Sequence, residues 1–153
     1  MLLHQVKTLL TSLAILALFP AWGWAESHHH ELNGTWKLAP ARSQFGGEPA
    51  LQAGTVTIYD REHHIYVAES FTYDQNGQTV SYRFSADAPH NASIHSGPDS
   101  KAKPKWEGNT LEVTSTKDNA TTVERYNLAT DGSLVLTVER PGHGPETLVF
   151  ERQ

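Results

Sequence analysis

Two acidic residues share predicted strand faces with apolar neighbours. Glu69 alternates with Val67 and Phe71, and Glu124 alternates in the same way with Tyr126. Because side chains on a strand point to its two faces in turn, both carboxyl groups are predicted to point inward. A carboxyl pair can supply general acid and base chemistry on glycosides. The favoured interpretation is structural: each acid forms a hydrogen bond with a tyrosine or arginine, or is turned outward by a bulge.

Histidine is the second residue type with chemical potential. The chain has nine histidines, and His28, His29 and His30 are consecutive. Neutral imidazole nitrogens bind divalent zinc, nickel or copper. A structural metal site needs three or four ligands held in place by the fold, which a flexible tail does not offer. We therefore predict no metal centre and no cofactor, with these three histidines as weak candidates for adventitious metal binding.

The motifs of several common catalytic classes are absent from the sequence. There is no cysteine, no Gly-x-Ser-x-Gly elbow, no phosphate loop and no dinucleotide fingerprint. No catalytic residue is therefore assigned. A barrel enzyme that uses Glu69 and Glu124 stays open as an alternative, and it requires that the two carboxyl groups lie close together on one sheet face.

The first 25 residues have the pattern of a secretory signal peptide. Lys7 is their only formally charged side chain, an apolar run follows from Thr8 to Phe19, and Gly23 and Ala25 place small residues before a cleavage point. The run is shorter than the ~20 residues that a membrane-spanning helix needs. We expect cleavage after Ala25, a periplasmic or secreted location, and no membrane anchor after cleavage.

The charge balance argues against two classes of partner. The chain has 17 acidic and 12 basic residues, and the acids are spread along it. Nucleic acid and anionic membranes bind clustered basic faces, so neither is expected here. The one basic cluster, Lys101 to Lys105, contains Pro104. We interpret it as a solvated loop or an edge strand.

The remaining sequence predicts an all-β domain. Residues 26–32 are polar and are predicted to be a flexible lead-in, whereas residues 33–153 show short apolar runs separated by turn residues about every 8 to 12 positions. Asn76-Gly77 is the strongest hairpin signal, since both central residues of a type I′ turn need positive φ. The only helical candidate is a single turn within Pro40 to Phe45. We predict an antiparallel up-and-down meander barrel of about 8–10 strands.

The first and last predicted strands carry a known pattern. Gly34-Thr35-Trp36 opens the domain and Arg152 lies on its last strand, with successive hairpins between them. This pattern resembles the lipocalins and other calycins, and more closely the small exported lipocalin-like proteins of bacteria. The resemblance implies that Trp36 plugs the closed end of the barrel and that Arg152 packs across its indole, an attraction worth about 0.5 to 2 kcal/mol. The chain lacks the long helix and the disulfide of the large lipocalins.

The predicted function is binding of a small apolar or amphipathic molecule in the cell envelope. We expect Phe71, Tyr82, Phe84 and Tyr126 to line the cavity, with Glu69 as the polar contact that orients the ligand. The same aromatic residues would also fill an ordinary core. In that case the protein would be an interaction module that uses its sheet edges or the lysine segment. Absence of a cavity above about 300 Å³ would favour that alternative. In either case we expect a monomer.

Overall fold

The computed structural model describes residues 28–61, 64–89, 94–97 and 100–153. These ranges contain two 3-10 helices, His28–Leu32 (the cap helix) and Pro40–Arg42, and no helix long and apolar enough to cross a membrane. The strands are β1 Gly34–Leu38, β2 Leu51–Arg61, β3 His64–Gln75, β4 Gln78–Pro89, β5 Ile94–Gly97, β6 Ser100–Glu107, β7 Thr110–Lys117, β8 Ala120–Leu128, β9 Leu134–Glu139 and β10 Glu146–Arg152.

The described strands form one antiparallel sheet. Consecutive strands pair from β1 to β4 and from β5 to β10, and β1 also pairs with β10, where Trp36 lies opposite Arg152. Strands β4 and β5 stand at the two ends of the strand order. The prediction of an all-β, up-and-down, lipocalin-like barrel of 8–10 strands is confirmed, with ten strands in a curled half-barrel.

Turn residues set the strand boundaries. Asn76 and Gly77 adopt φ of 56° and 78° between β3 and β4, and Asp118 and Asn119 adopt φ of 49° and 65° between β7 and β8. Asn, Asp and Gly tolerate this left-handed conformation better than other residues, so each pair closes a two-residue hairpin and fixes its register.

The core lies on the inner face of the sheet, where the alternation of residues predicts it. Leu134, Leu136 and Val138 on β9 are buried, as are Ile65 and Val67 on β3. Burying these side chains is the main contribution to stability in a fold that has no disulfide.

The predicted flexible lead-in needs correction. Residues 26 and 27 lie outside the described ranges, but His28–Leu32 forms the cap helix. Leu32 is only 2% exposed, and its carbonyl oxygen accepts a hydrogen bond from Trp36 Nε1 at 2.9 Å. The polar sequence of this segment has no clear helical pattern. Its contacts with the barrel stabilise the helix, so the sequence alone did not predict it.

The lysine segment lies in β6 and not in a loop. Strand β5 pairs with β6 only as far as Ala102, which lies opposite Ile94. Pro104 lies beyond Ala102, so no described residue of β5 pairs with it. Because proline has no N–H to donate, it suits such an unpaired position. The edge-strand interpretation therefore fits the second half of β6.

Candidate functional site

Trp36 lies at the closed end of the barrel. Its side chain is 0% exposed, and the guanidinium carbon of Arg152 lies 4.1 Å from the centre of its ring. Arg152 also donates hydrogen bonds to the carbonyl oxygens of Asn33 and Glu31, at 2.7 and 2.6 Å. Gly34 provides the space, since a Cβ there would lie 2.7 Å from Arg152 Nη1. Trp36 therefore offers no surface to a ligand, and the geometry is the one that the family resemblance implies.

His29 packs at the same end. Its ring stacks on Trp106, with ring centres 3.8 Å apart, and its Nε2 donates a hydrogen bond to the Gly108 carbonyl at 3.0 Å. Within the described ranges no group of three or more His, Asp or Glu side chains is placed to hold a metal ion. The stacking on Trp106 and the hydrogen bond to Gly108 therefore hold His29 and the cap helix against the barrel. His30 is exposed, and the side chain of His28 lies outside the described part of the structure.

A cavity of about 470 Å³ lies at the opposite end of the barrel. Strand β10 relates the two ends, because Arg152 at its end covers Trp36 whereas Glu146 at its start lines the cavity. We call this end the mouth. The described residues that line the cavity are Glu48, Pro49, Leu51, Glu69, Phe71, Tyr73, Gln75, Ser115, Lys117, Thr122, Glu124, Val138, Arg140, Glu146 and Leu148.

One apolar wall of the cavity depends on a glycine. Phe71 on β3 lies opposite Gly54 on β2, and a Cβ at Gly54 would lie only 2.7 Å from Phe71 Cδ1. The ring therefore packs down over the glycine, with its centre 6.2 Å from that of Phe150. This placement leaves the space above Phe71 open.

Three side chains form the floor of the cavity, and we call them the acidic floor: Glu69, Glu124 and Tyr126. Tyr126 Oη donates a hydrogen bond to Glu69 Oε1 at 2.7 Å, and Glu124 Oε2 lies 3.1 Å from the same phenol oxygen. The exposed fractions are 3%, 7% and 0% in that order. Glu69 is on β3 and the other two are on β8, so the contact crosses the interior of the barrel.

The acidic floor favours the protonated form of its carboxyl groups. Burial raises the pKa of Glu69 well above its ordinary value, and the nearby Glu124 raises it further. Burial likewise raises the pKa of Glu124 to about 7, against an opposing hydrogen bond from Tyr126. The phenol has a single proton, and burial raises its own pKa as well. Both contacts of Tyr126 are therefore hydrogen bonds only when at least one carboxyl group is protonated.

One carboxyl oxygen of the floor is unsatisfied. Glu69 Oε2 is buried and has no hydrogen-bond partner among the described residues. The nearby cation is already engaged, since Arg140 Nη1 lies 2.6 Å from Glu146 Oε1. The charged side chains that line the cavity are Glu48, Glu69, Glu124, Glu146, Lys117 and Arg140. The cavity therefore has more acidic than basic groups.

The structure brings together part of the predicted site. Glu69 and Phe71 line the cavity, and Tyr126 lies beneath it as part of the floor. The side chains of Tyr82 and Phe84 lie outside the described part of the structure. Glu69 and Glu124 do approach each other, with Tyr126 donating to the former as the structural interpretation requires.

Sequence reasoning missed Glu146 and Arg140. The signal was present in both cases, because Glu146 shares the parity of the buried Leu148 and Arg140 shares that of the buried Val138. Glu146 is the first residue of β10 and Arg140 directly follows β9, and alternation is a weaker guide to side-chain direction there than in the middle of a strand.

No family model matches the sequence, and no curated protein matches it. Solved structures do match. Wild-type fluorescent protein UnaG has a TM-score of 0.56 and 19% identity, over 79% of this chain and 96% of that one. Secretory abundant heat soluble protein 4 from Ramazzottius varieornatus has a TM-score of 0.58 and 16% identity, over 80% and 95% of the two chains.

A third similar structure carries a ligand class in its name. Fatty-acid-binding protein 1 of Echinococcus granulosus has a TM-score of 0.57 and 9% identity, over 80% of this chain and 98% of that one. Identities this low show the fold alone. The chain therefore has the lipocalin-like barrel fold of the fatty-acid-binding proteins.

Proposed function

We propose that the protein binds a small apolar or amphipathic molecule in the cavity at the mouth of its barrel. The cavity carries the proposal: its volume of about 470 Å³ falls within the range of about 300 to 1,000 Å³ that is typical of small-molecule sites. Leu51, Phe71, Val138 and Leu148 give it apolar walls. The names of similar proteins, such as the fatty-acid-binding protein, also support an apolar ligand.

The cavity also weighs against a solid interaction module. That alternative calls for an interior without a cavity above about 300 Å³, and the volume of about 470 Å³ exceeds this threshold. The interior of the barrel is thus the stronger candidate for the site of function.

An enzyme of the paired-carboxylate type is disfavoured by the position of Tyr126. The phenol oxygen contacts both carboxyl groups at 2.7 and 3.1 Å. It occupies the place between them where the reacting oxygen of a glycoside would have to lie. The acidic floor is therefore suited to holding a proton and a polar ligand group.

The proposal includes a location and an oligomeric state, and both rest on the sequence alone. The leader pattern of residues 1–25 supports export to the periplasm or the medium. The expected oligomeric state is a monomer.

A cavity-filling variant tests the proposal. Thr122 lines the cavity, whereas its neighbour Thr121 is exposed and is not among the described lining residues. Titration with an uncharged naphthylamine dye, followed by fluorescence, should saturate for the wild type and for Thr121→Trp. Thr122→Trp should bind the dye at least tenfold more weakly, because its indole takes the space of the ligand.

Thermal unfolding of both variants checks that they are folded. The proposal fails if the wild-type protein shows no saturable binding of the dye, or if folded Thr122→Trp binds it as tightly as Thr121→Trp does.

A further inference from the structure

The floor of the cavity presents a buried carboxyl oxygen that the protein does not satisfy. Glu69 is 97% buried, being 3% exposed, and its Oε1 accepts the hydrogen bond from Tyr126. Its Oε2 has no hydrogen-bond partner among the described residues. A buried carboxyl oxygen without a partner costs free energy, typically about 1–3 kcal/mol or more. A ligand group that donates a hydrogen bond there would recover this energy.

The charges around the floor oppose an anionic ligand group. Glu124 contacts the same phenol as Glu69, and Glu48 and Glu146 line the cavity as well. Of the two cations, Arg140 is paired with Glu146 at 2.6 Å. A ligand carboxylate would therefore meet several acids and would compete with Glu146 for the guanidinium.

The direction of β3 places the polar group of a ligand deep in the barrel. From the floor toward the mouth, Glu69 is followed on the same face by Phe71, Tyr73 and Gln75, and all four line the cavity. Leu51 lies opposite Tyr73 across the β2–β3 pair. The floor is thus acidic, and on the β2–β3 side Phe71 and Leu51 give apolar surface above it, which fits a molecule that enters with its polar group first.

We propose that the cavity takes an amphipathic molecule whose polar head donates a hydrogen bond and carries no negative charge, with an amine as the head group that the acidic floor favours most. This inference rests on the proposed function and narrows it to one class of ligand. The amine would donate to Glu69 Oε2, and its apolar chain would lie along Phe71 toward the mouth.

Three probes of equal chain length test the head group: decylamine, decanol and decanoate. Each is titrated below its micelle concentration against the full folded protein at pH 8, by displacement of the naphthylamine dye. Decylamine should bind at least tenfold more tightly than decanoate, with decanol between them. Binding of decanoate as tight as that of decylamine, or tighter, would overturn the inference and leave the proposed function intact.

A matched pair of variants assigns the preference to the floor. Glu69→Gln replaces a carboxyl group that can ionise against the ammonium group of decylamine by a neutral amide of nearly equal volume. It should reduce the preference for decylamine over decanoate to less than threefold. Glu112→Gln is the control, because Glu112 pairs on the outer face with Arg125 and Lys105 at 3.0 and 3.1 Å. The Glu112→Gln variant should prefer decylamine over decanoate by the same factor as the wild type does.

The two proposals fail in different ways. If none of the probes displaces the dye and the dye itself does not bind, the proposed function is wrong and the inference falls with it. If the probes bind but Glu69→Gln keeps the full preference for the amine, the cavity binds ligands and the assignment to Glu69 is wrong.

Discussion

Tyr126 joins two carboxyl groups that lie far apart in the sequence. Its hydroxyl is within 2.7 Å of Glu69, which is 57 positions away in the chain. Alternation along β3 and β8 predicts that all three side chains point inward, and the structure agrees. Their meeting could not be predicted, since it depends on how the sheet curls and not on any local pattern. The same limit applies to the pairing of Arg140 with Glu146 at the mouth.

The raised pKa values of the floor predict how stability depends on pH. Glu124 titrates at about 7 in the folded protein and ordinarily at 4.5. The native state therefore binds more protons than the unfolded chain between these values, so the stabilisation is complete below about pH 4.5 and is lost as the pH rises through 7. We expect the free energy of unfolding to fall by on the order of 2–3 kcal/mol between pH 5 and 8.

Urea denaturation at a series of pH values measures this fall. Glu124→Gln should show a clearly smaller fall than the wild type, because the amide does not ionise. Glu107→Gln is the control, since that exposed carboxyl pairs with Lys105 and its pKa is lowered, away from this range. An unchanged pH trend in Glu124→Gln would contradict the assignment.

Trp36 allows a test of stability at the closed end of the barrel. Trp36→Ala should lower the free energy of unfolding by about 3–5 kcal/mol, because it leaves a cavity where the side chain is fully buried. Denaturation of the variant checks the value. Tyr59→Ala serves for comparison. Because Tyr59 is 38% exposed, this substitution should lower the free energy of unfolding far less. A loss below about 1 kcal/mol at Trp36 would contradict its role as a plug.

At the scale of elements, local signals and long-range pairings differ in how far they can be predicted. The hairpins follow from their turn residues, such as Asn76-Gly77, whose positive φ the structure shows. The pairing of β1 with β10 joins the two ends of the domain. This pairing was indicated only by the resemblance of the Trp36 and Arg152 pattern to the lipocalins. The folded cap helix had no signal in the sequence, because its contacts with the barrel determine it.

The cap helix supplies the prediction at this scale. Arg152 ties β10 to the carbonyl oxygens of Glu31 and Asn33. Arg152→Lys keeps the charge but loses the planar fork that reaches both carbonyls, so we expect a loss of about 1–2 kcal/mol. Amide hydrogen exchange should also speed up within His28–Leu32. Arg61→Lys, at an exposed site over Tyr59, is the control and should leave exchange in the cap helix unchanged.

At the scale of the whole molecule, an acidic barrel encloses a cavity of about 470 Å³ at its mouth. The formal charge of −5 and the scattered acids are the basis for expecting no nucleic acid among its partners. Chain length predicted a single domain, and the short apolar runs between turn residues predicted an all-β fold. They could not predict the contents of its interior, which depend on how ten strands close around a few side chains.

Export is the prediction for the whole chain. We expect the mature protein to begin at Glu26 when it is produced in a bacterial host, because the small residues Gly23 and Ala25 precede that position. Intact mass measurement of the periplasmic or secreted fraction checks this. Ala25→Arg should block processing and leave the leader attached. An exported protein that still begins at Met1 would contradict the assignment.

The pairing of β1 with β10 brings the first and last strands of the barrel side by side at the closed end. Gln153 N–H donates to the Thr35 carbonyl at 3.0 Å, so the C-terminus lies next to the start of β1. A linker, label or solid support attached at Gln153 therefore emerges on the side away from the mouth. The protein can be tethered there while its cavity faces the solution, which makes it a practical scaffold for an immobilised sensor.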